Sequence, residues 1–285
     1  MMASIQAFFT GLGQYQFLQM ALISAVLVGI MAGVLGSFII LKGMSLMGDA
    51  LSHAVLPGVA TSYMLGIPMI LGAGIFGLLA ALLIGYASRK SPLKNDTVIG
   101  IVFSAFFALG YILIAGLEST TNLHHILFGN VLAVSRTDVW TTLVVFNLVI
   151  LAVVFFFKEL QISTFDPNFA RSYGLPTGVI HYGLMTALTV VTVVALQSVG
   201  IILIVAMLVT PAATAYLWTH RLQPMLWLAG ALGGLSAFIG LFLSYTWNWA
   251  SGPAIVLTAA VFFVISFLAA PKRRAWRGEG AVADA

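Results

Sequence analysis

Residues 42–58 read KGMSLMGDALSHAVLPG, and within this apolar stretch Asp49 and His53 stand four residues apart. Whether such a segment lies in water or in lipid decides the fold. Only 7% of the 285 residues are charged and 61% are hydrophobic, whereas soluble domains carry roughly 25% charged residues. Apolar runs of about 20 residues, enough to cross a hydrocarbon layer of ~30 Å, recur along most of the chain. The reading is all-α: a polytopic membrane protein of about eight to nine transmembrane helices.

With glycine, proline and charge as punctuation, the spans fall near 15–41, 45–65, 68–88, 97–116, 138–157, 178–197, 199–218, 224–246 and 253–270. The formal net charge of +4 does not point to nucleic acid, because the basic residues sit between apolar runs and at the C-terminus. Placing Lys272, Arg273, Arg274 and Arg277 in the cytoplasm puts Lys42, Arg89, Lys90, Lys94, Lys158, Arg171, His220 and Arg221 inside as well, and leaves Arg136 outside. The N-terminus is then outside, with its first apolar run retained as a span too long for a signal peptide. One membrane domain is expected over 1–271, with a short cytoplasmic coupling segment near 165–176 and a cytoplasmic tail over 272–285. Cysteine is absent, so any metal must be held by oxygen and nitrogen.

On a helix, Asp49 and His53 lie about 40° apart around the axis and one turn apart along it, so both can reach one ligand. Ser45 falls one turn earlier on that stripe, and Ser52 three residues after Asp49. Pro57 has no N–H to give the carbonyl of His53, which frees that oxygen. The plainer alternative is that the two side chains satisfy each other or cap the helix. A carboxylate inside a span costs at least about 2.5–3.5 kcal/mol, and such groups face a polar path rather than lipid. Carboxylate with imidazole suits Mn(II), Fe(II) or Zn(II), whereas Cu(I) wants sulfur; Met44 and Met47 are read as packing.

Three further stretches stand out: LHHILFGNVLAVS (123–135), FDPNFARSYGLP (165–176) and VGIILIVAMLVTPAATA (199–215). In the second of these, Asp166 suits an N-cap, Pro167 the first helical position, and Gly174 followed by Pro176 a stop after about two turns. HAVLPGVA in the second span and MLVTPAATA in the seventh form a faint internal echo, each with proline near the middle of a helix.

In these stretches, together with MSLMGDALSHAVLPGVA (44–60), the chain resembles the membrane-spanning permease subunits of ATP-driven (ABC-type) importers for manganese, zinc and iron. The resemblance covers nearly the whole chain. It implies that Asp49 and His53 hold the ion in the membrane path, and that 165–176 docks on the ATPase through Asp166, Ala170 and Gly174. It further implies a homodimer of permease subunits, a cytoplasmic ATP-binding cassette subunit, an extracytoplasmic metal-binding protein and a prokaryotic plasma membrane. LHHILFGNVLAVS looks more like the manganese and iron permeases than the zinc ones. Glu118, His124 and His125 are candidates for an outer capture site, although adjacent histidines on a helix point about 100° apart and loop histidines are ordinarily solvated.

No G-x-x-x-x-G-K-[ST] phosphate loop is present, so energy must come from a partner and the chain itself is not expected to be an enzyme. No permanently bound cofactor is expected; the metal, Mn(II) first and Fe(II) or Zn(II) after it, is cargo. The alternative is a proton-coupled secondary divalent-metal transporter, which would not need the docking segment. An intramembrane metal hydrolase is disfavoured because H-E-x-x-H is missing. A vitamin or siderophore permease would have little use for the Asp49/His53 pair.

Overall fold

Lipid offers no hydrogen bonds to a backbone, so long apolar runs close their own amides as helices. The computed structural model describes residues 2–116, 131 and 134–270, and among these the regular elements are all helical. In chain order they are α1 (Met2–Gln14), α2 (Gln16–Leu41), α3 (Met47–Ala54), α4 (Leu56–Leu65), α5 (Met69–Lys90), α6 (Asn95–Ala115) and α7 (Arg136–Phe155). There follow α8 (Phe157–Phe165), α9 (Pro167–Ser172), α10 (Thr177–Val199), α11 (Ile201–Trp218), α12 (Leu222–Trp247) and α13 (Ser251–Ala269).

Eight of the described helices are long and apolar enough to cross a membrane unbroken: α2, α5, α6, α7, α10, α11, α12 and α13. The second span expected from sequence, 45–65, is instead two short helices, α3 and α4, interrupted at Val55. The physical reason is Pro57, which cannot donate to the carbonyl four residues back. Val55 keeps near-helical angles (φ −79°, ψ −15°), so the interruption is a local loss of hydrogen bonding rather than a reversal of the chain.

A second departure lies at the N-terminus, where α1 precedes the first span. Its Phe8 is fully buried among Phe238, Phe242 and Tyr245, with ring centroids 6.2, 5.2 and 5.6 Å away, all at steep interplanar angles. Those partners lie more than two hundred residues along the chain, so local pattern could not reveal the contact.

Helix α2 is central: 72% of its most apolar window is buried, against 17% for α6 and 22% for α7, which line the periphery. It packs against α12, α11, α7 and α10. The short α3 sits among α6, α11, α10 and α5, and α4 lies against α5 and α6. The broken span is thus wedged between long helices.

Candidate metal-transfer site and coupling segment

A turn through Gly43 (φ +64°) ends the path from α2, and α3 begins at Met47. Ser45 belongs to that turn and not to the helical stripe expected from its spacing. Within α3, Met47, Gly48, Ala50, Leu51, Ser52 and Ala54 are all buried. The two residues left partly open are Asp49 and His53, whose side chains are 44% and 22% exposed. An eight-residue helix inside a greasy bundle therefore presents one stripe, and that stripe is its carboxylate and its imidazole.

His53 Nε2 stands 3.5 Å from Asp49 Oδ1, a separation too long for a well-formed hydrogen bond. Nδ1 of the same ring is buried and has no protein partner among the described residues. Ser52 does not join the pair, because its hydroxyl donates to the carbonyl of Gly48 at 2.7 Å. Pro57 withholds the helical donor from the carbonyl of His53, and the backbone N–H nearest to it at the cap of α3 is that of Val55, only two residues on. Met44 and Met47 are buried, at 2% and 0% exposure, and act as packing.

Around the ring, Phe103 and Phe107 of α6 approach His53 at centroid distances of 5.5 and 5.4 Å, with interplanar angles of 69° and 86°. Sequence reasoning did not single out these two aromatics, since phenylalanines at helical spacing in a span look like any lipid-facing stripe. Among the described residues no group of three or more His, Asp or Glu side chains converges on a point where a metal could be held. The described chain brings two side chains able to ligate an ion, Asp49 and His53, together at this position.

A groove of about 980 Å³ between α2, α7 and α12 is apolar apart from Gln223 and offers no ligand for an ion. Outside the spans, Lys42 is half-buried at the end of α2, and burial holds its ammonium below the ordinary lysine range.

The second feature is α9. Asp166 caps it, its Oδ1 accepting the backbone N–H groups of Asn168 and Phe169 at 3.1 and 2.9 Å, and Pro167 occupies the first turn. At the other end, the Leu175 N–H donates to the Ala170 carbonyl and the Gly174 N–H to the Arg171 carbonyl, both at 3.0 Å. Gly174 adopts φ +85°, and this paired pattern is the glycine-terminated helix stop that a β-carbon would strain. Ala170 is fully buried beneath the helix, while Phe169 and Tyr173 are 56% and 72% exposed and stack at 6.2 Å. Arg171 donates through Nε to the Thr177 hydroxyl at 3.3 Å, tying α9 to the start of α10. The outward-facing aromatics, like those beside His53, were not foreseen from sequence. Glu118, His124 and His125 lie outside the described residues.

Comparison with known proteins places these features in context. The family model described as "ABC 3 transport family" matches residues 14–270. The chain is 61% identical over 266 residues to the manganese transport system membrane protein MntC of Listeria innocua, covering 93% of this chain and 95% of that protein. It is 40% identical over 254 residues to the chelated iron transport system membrane protein YfeD of Yersinia pestis, covering 89% of this chain and 86% of that protein. Among solved structures, PsaBC from Streptococcus pneumoniae in complex with Fab superimposes with a TM-score of 0.86 at 53% identity, covering 96% of this chain and 99% of that one.

Proposed function

Because this chain belongs to the ABC 3 transport family, we propose that it is the membrane-spanning permease subunit of an ATP-driven importer for divalent transition-metal ions, with Mn(II) as the principal cargo. The observation that carries the reading is the single open stripe of α3, a carboxylate and an imidazole with donor atoms 3.5 Å apart. Two ligand bonds of about 2.0–2.2 Å separate their donors by ~3.0 Å at the right angle of an octahedral site and by ~3.4 Å at a tetrahedral one. The pair therefore fits around an ion with little rearrangement. Manganese is favoured by the names of the most similar relatives, and Fe(II) is the second reading, supported by the iron-transport relative. Zn(II) would accept the same donors.

Two ligands from one chain are too few for a transition-metal ion. A homodimer facing α3 to α3 would contribute two carboxylates and two imidazoles to one ion, and the partial exposure of Asp49 leaves room for that approach. ATP hydrolysis is assigned to a separate cytoplasmic cassette subunit. Its docking site is the α9 segment, where Asp166 and Gly174 shape the turn, Ala170 seats it against the bundle, and Phe169 and Tyr173 face the partner. An extracytoplasmic binding protein delivers the ion, with Glu118, His124 and His125 as a candidate capture site. The protein is a multi-pass bacterial plasma-membrane protein, with its membrane domain over 1–271, its N-terminus outside and its tail, 272–285, in the cytoplasm.

In the cycle, docking outside passes the ion to Asp49 and His53, and ATP turnover acting through α9 and α10 opens the path inward. Ligation needs a neutral imidazole, so protons compete with the metal and acidification weakens the site.

The test is Mn(II) uptake by cells lacking their own importer, read together with co-purification of the ATPase. Asp49→Ala is expected to lose uptake at least 10-fold while retaining the ATPase. Gly174→Val is expected to lose ATPase-driven uptake while Mn(II) binding is unchanged. Undiminished uptake by Asp49→Ala would overturn the site, and uptake that persists without the ATPase would favour a proton-coupled carrier.

A further inference from the structure

A histidine that holds a metal ordinarily donates its second ring N–H to a carboxylate, a carbonyl or water, and that bond fixes the ring's orientation. In His53 the nitrogen not facing Asp49, Nδ1, is buried with no protein partner among the described residues. Among the described residues, then, no protein hydrogen bond at Nδ1 orients the ring. The groups in place to do so are Phe103 and Phe107, which are stacked on each other at 5.8 Å and both set steeply against the imidazole.

These two residues do not stand beside His53 by accident of lipid-facing composition. Positions 103, 107 and 110 fall on one stripe of α6 by their four- and three-residue spacing. At the third of them, Gly110, a β-carbon would lie 2.9 Å from Leu56 Cβ and 3.0 Å from the nitrogen of Pro57. The glycine lets α6 close directly onto the interruption between α3 and α4, and that approach brings the rings one and two turns earlier onto His53. Phe103 is half-buried and Phe107 is 38% exposed, so the second ring also borders the open stripe.

We infer that Phe103 and Phe107 are positioning residues for metal transfer, an aromatic brace that holds the His53 imidazole with Nε2 turned toward Asp49, in the role a hydrogen-bonded carboxylate or carbonyl plays at other metal-bound histidines. The inference rests on the reading of Asp49 and His53 as the ion's ligands. Edge-to-face contact suits the task, because it restrains ring rotation without adding a polar group to a dry interior. It also leaves the brace without charge, so nothing in it competes with Asp49 for the ion.

The experiment uses the full chain assembled with its ATPase in lipid nanodiscs, titrated with Mn(II) and followed by electron paramagnetic resonance. The free-ion signal gives the affinity, and the electron spin-echo modulation from a coupled nitrogen reports whether an imidazole is bound. Phe103→Leu and Phe107→Leu, singly and together, are expected to weaken Mn(II) binding by roughly 10-fold and to diminish the nitrogen modulation. Phe103→Tyr and Phe107→Tyr keep the ring and are expected to retain both. A merely structural role would lower yield or thermal stability without removing the nitrogen signal from ion that is still bound. If Phe103→Leu does not assemble, Phe107→Leu decides, since its ring is partly exposed and its removal leaves less of a cavity. Wild-type affinity and modulation in the leucine variants overturn the brace. Wild-type affinity and modulation in His53→Ala overturn the ligand assignment instead, so the two failures are told apart.

Discussion

Two stretches of this molecule use the same device and end differently. In α3 and α4, Pro57 accompanies an interruption at Val55; in α11, Pro211 sits inside a helix that runs from Ile201 to Trp218 without a break. Each proline withholds an N–H from the carbonyl four residues earlier, that of His53 in one case and Met207 in the other. The difference lies in what surrounds them. Ten helical residues precede Pro211, and α11 is gripped by α2, α12 and α13, with Leu208, Pro211, Ala212 and Ala215 all buried. Helix α3 has eight residues, starts from a turn, and carries the two side chains that are not packed away. Proline supplies the weakness, and packing decides whether the helix yields.

That comparison can be broken, and the largest effect should come from releasing the grip on α11. A β-carbon at Gly36 of α2 would run into the carbonyl oxygen of Leu208, one turn before Pro211. Gly36→Val is therefore expected to destabilise the bundle by about 3 kcal/mol or more, seen as lost yield and a lowered Tm in detergent. A wild-type Tm would mean that contact with α2 does not hold α11 together.

An intermediate effect is expected at the other proline. Pro57 stands in the first turn of α4, where a missing N–H costs little, so Pro57→Ala should leave stability within about 1 kcal/mol. Joining α3 to α4 would nevertheless shift α3, and with it the Asp49 and His53 stripe, relative to the α6 rings, and Mn(II) uptake is expected to fall several-fold. Unchanged uptake beside an unchanged Tm would show that the interruption has no part in transport. The smallest effect belongs to Pro211→Ala: uptake should match wild type and stability should shift by less than about 1 kcal/mol, because the restored hydrogen bond and the lost ring volume oppose each other. A large loss of uptake there would give the two prolines equivalent roles.

Much of this architecture was legible from the chain. Hydropathy marked the long helices because lipid leaves a spanning segment few alternatives, and the α9 segment followed from Asp166, Pro167 and Gly174, whose local chemistry caps and stops a helix whatever lies nearby. Asp49 and His53 were visible as polar groups that an oily span would not carry idly. Other expectations depended on neighbours and failed accordingly. Ser45 fell in the turn, and Ser52 bonded to its own helix through Gly48. Helix α1 escaped notice because its anchor, Phe8, packs on α12.

Sequence by itself determined that this is a bundle of membrane helices with an acidic and imidazole-bearing stripe and a short capped helix, since spacing, capping and hydropathy are properties of neighbours in the chain. Only tertiary structure decided which proline interrupts its helix, that the stripe of α3 alone stays open, and that Phe103 and Phe107 stand against His53. Those outcomes are contacts between segments distant in sequence, and the energy that settles them comes from close packing across helices rather than from any residue's own preference.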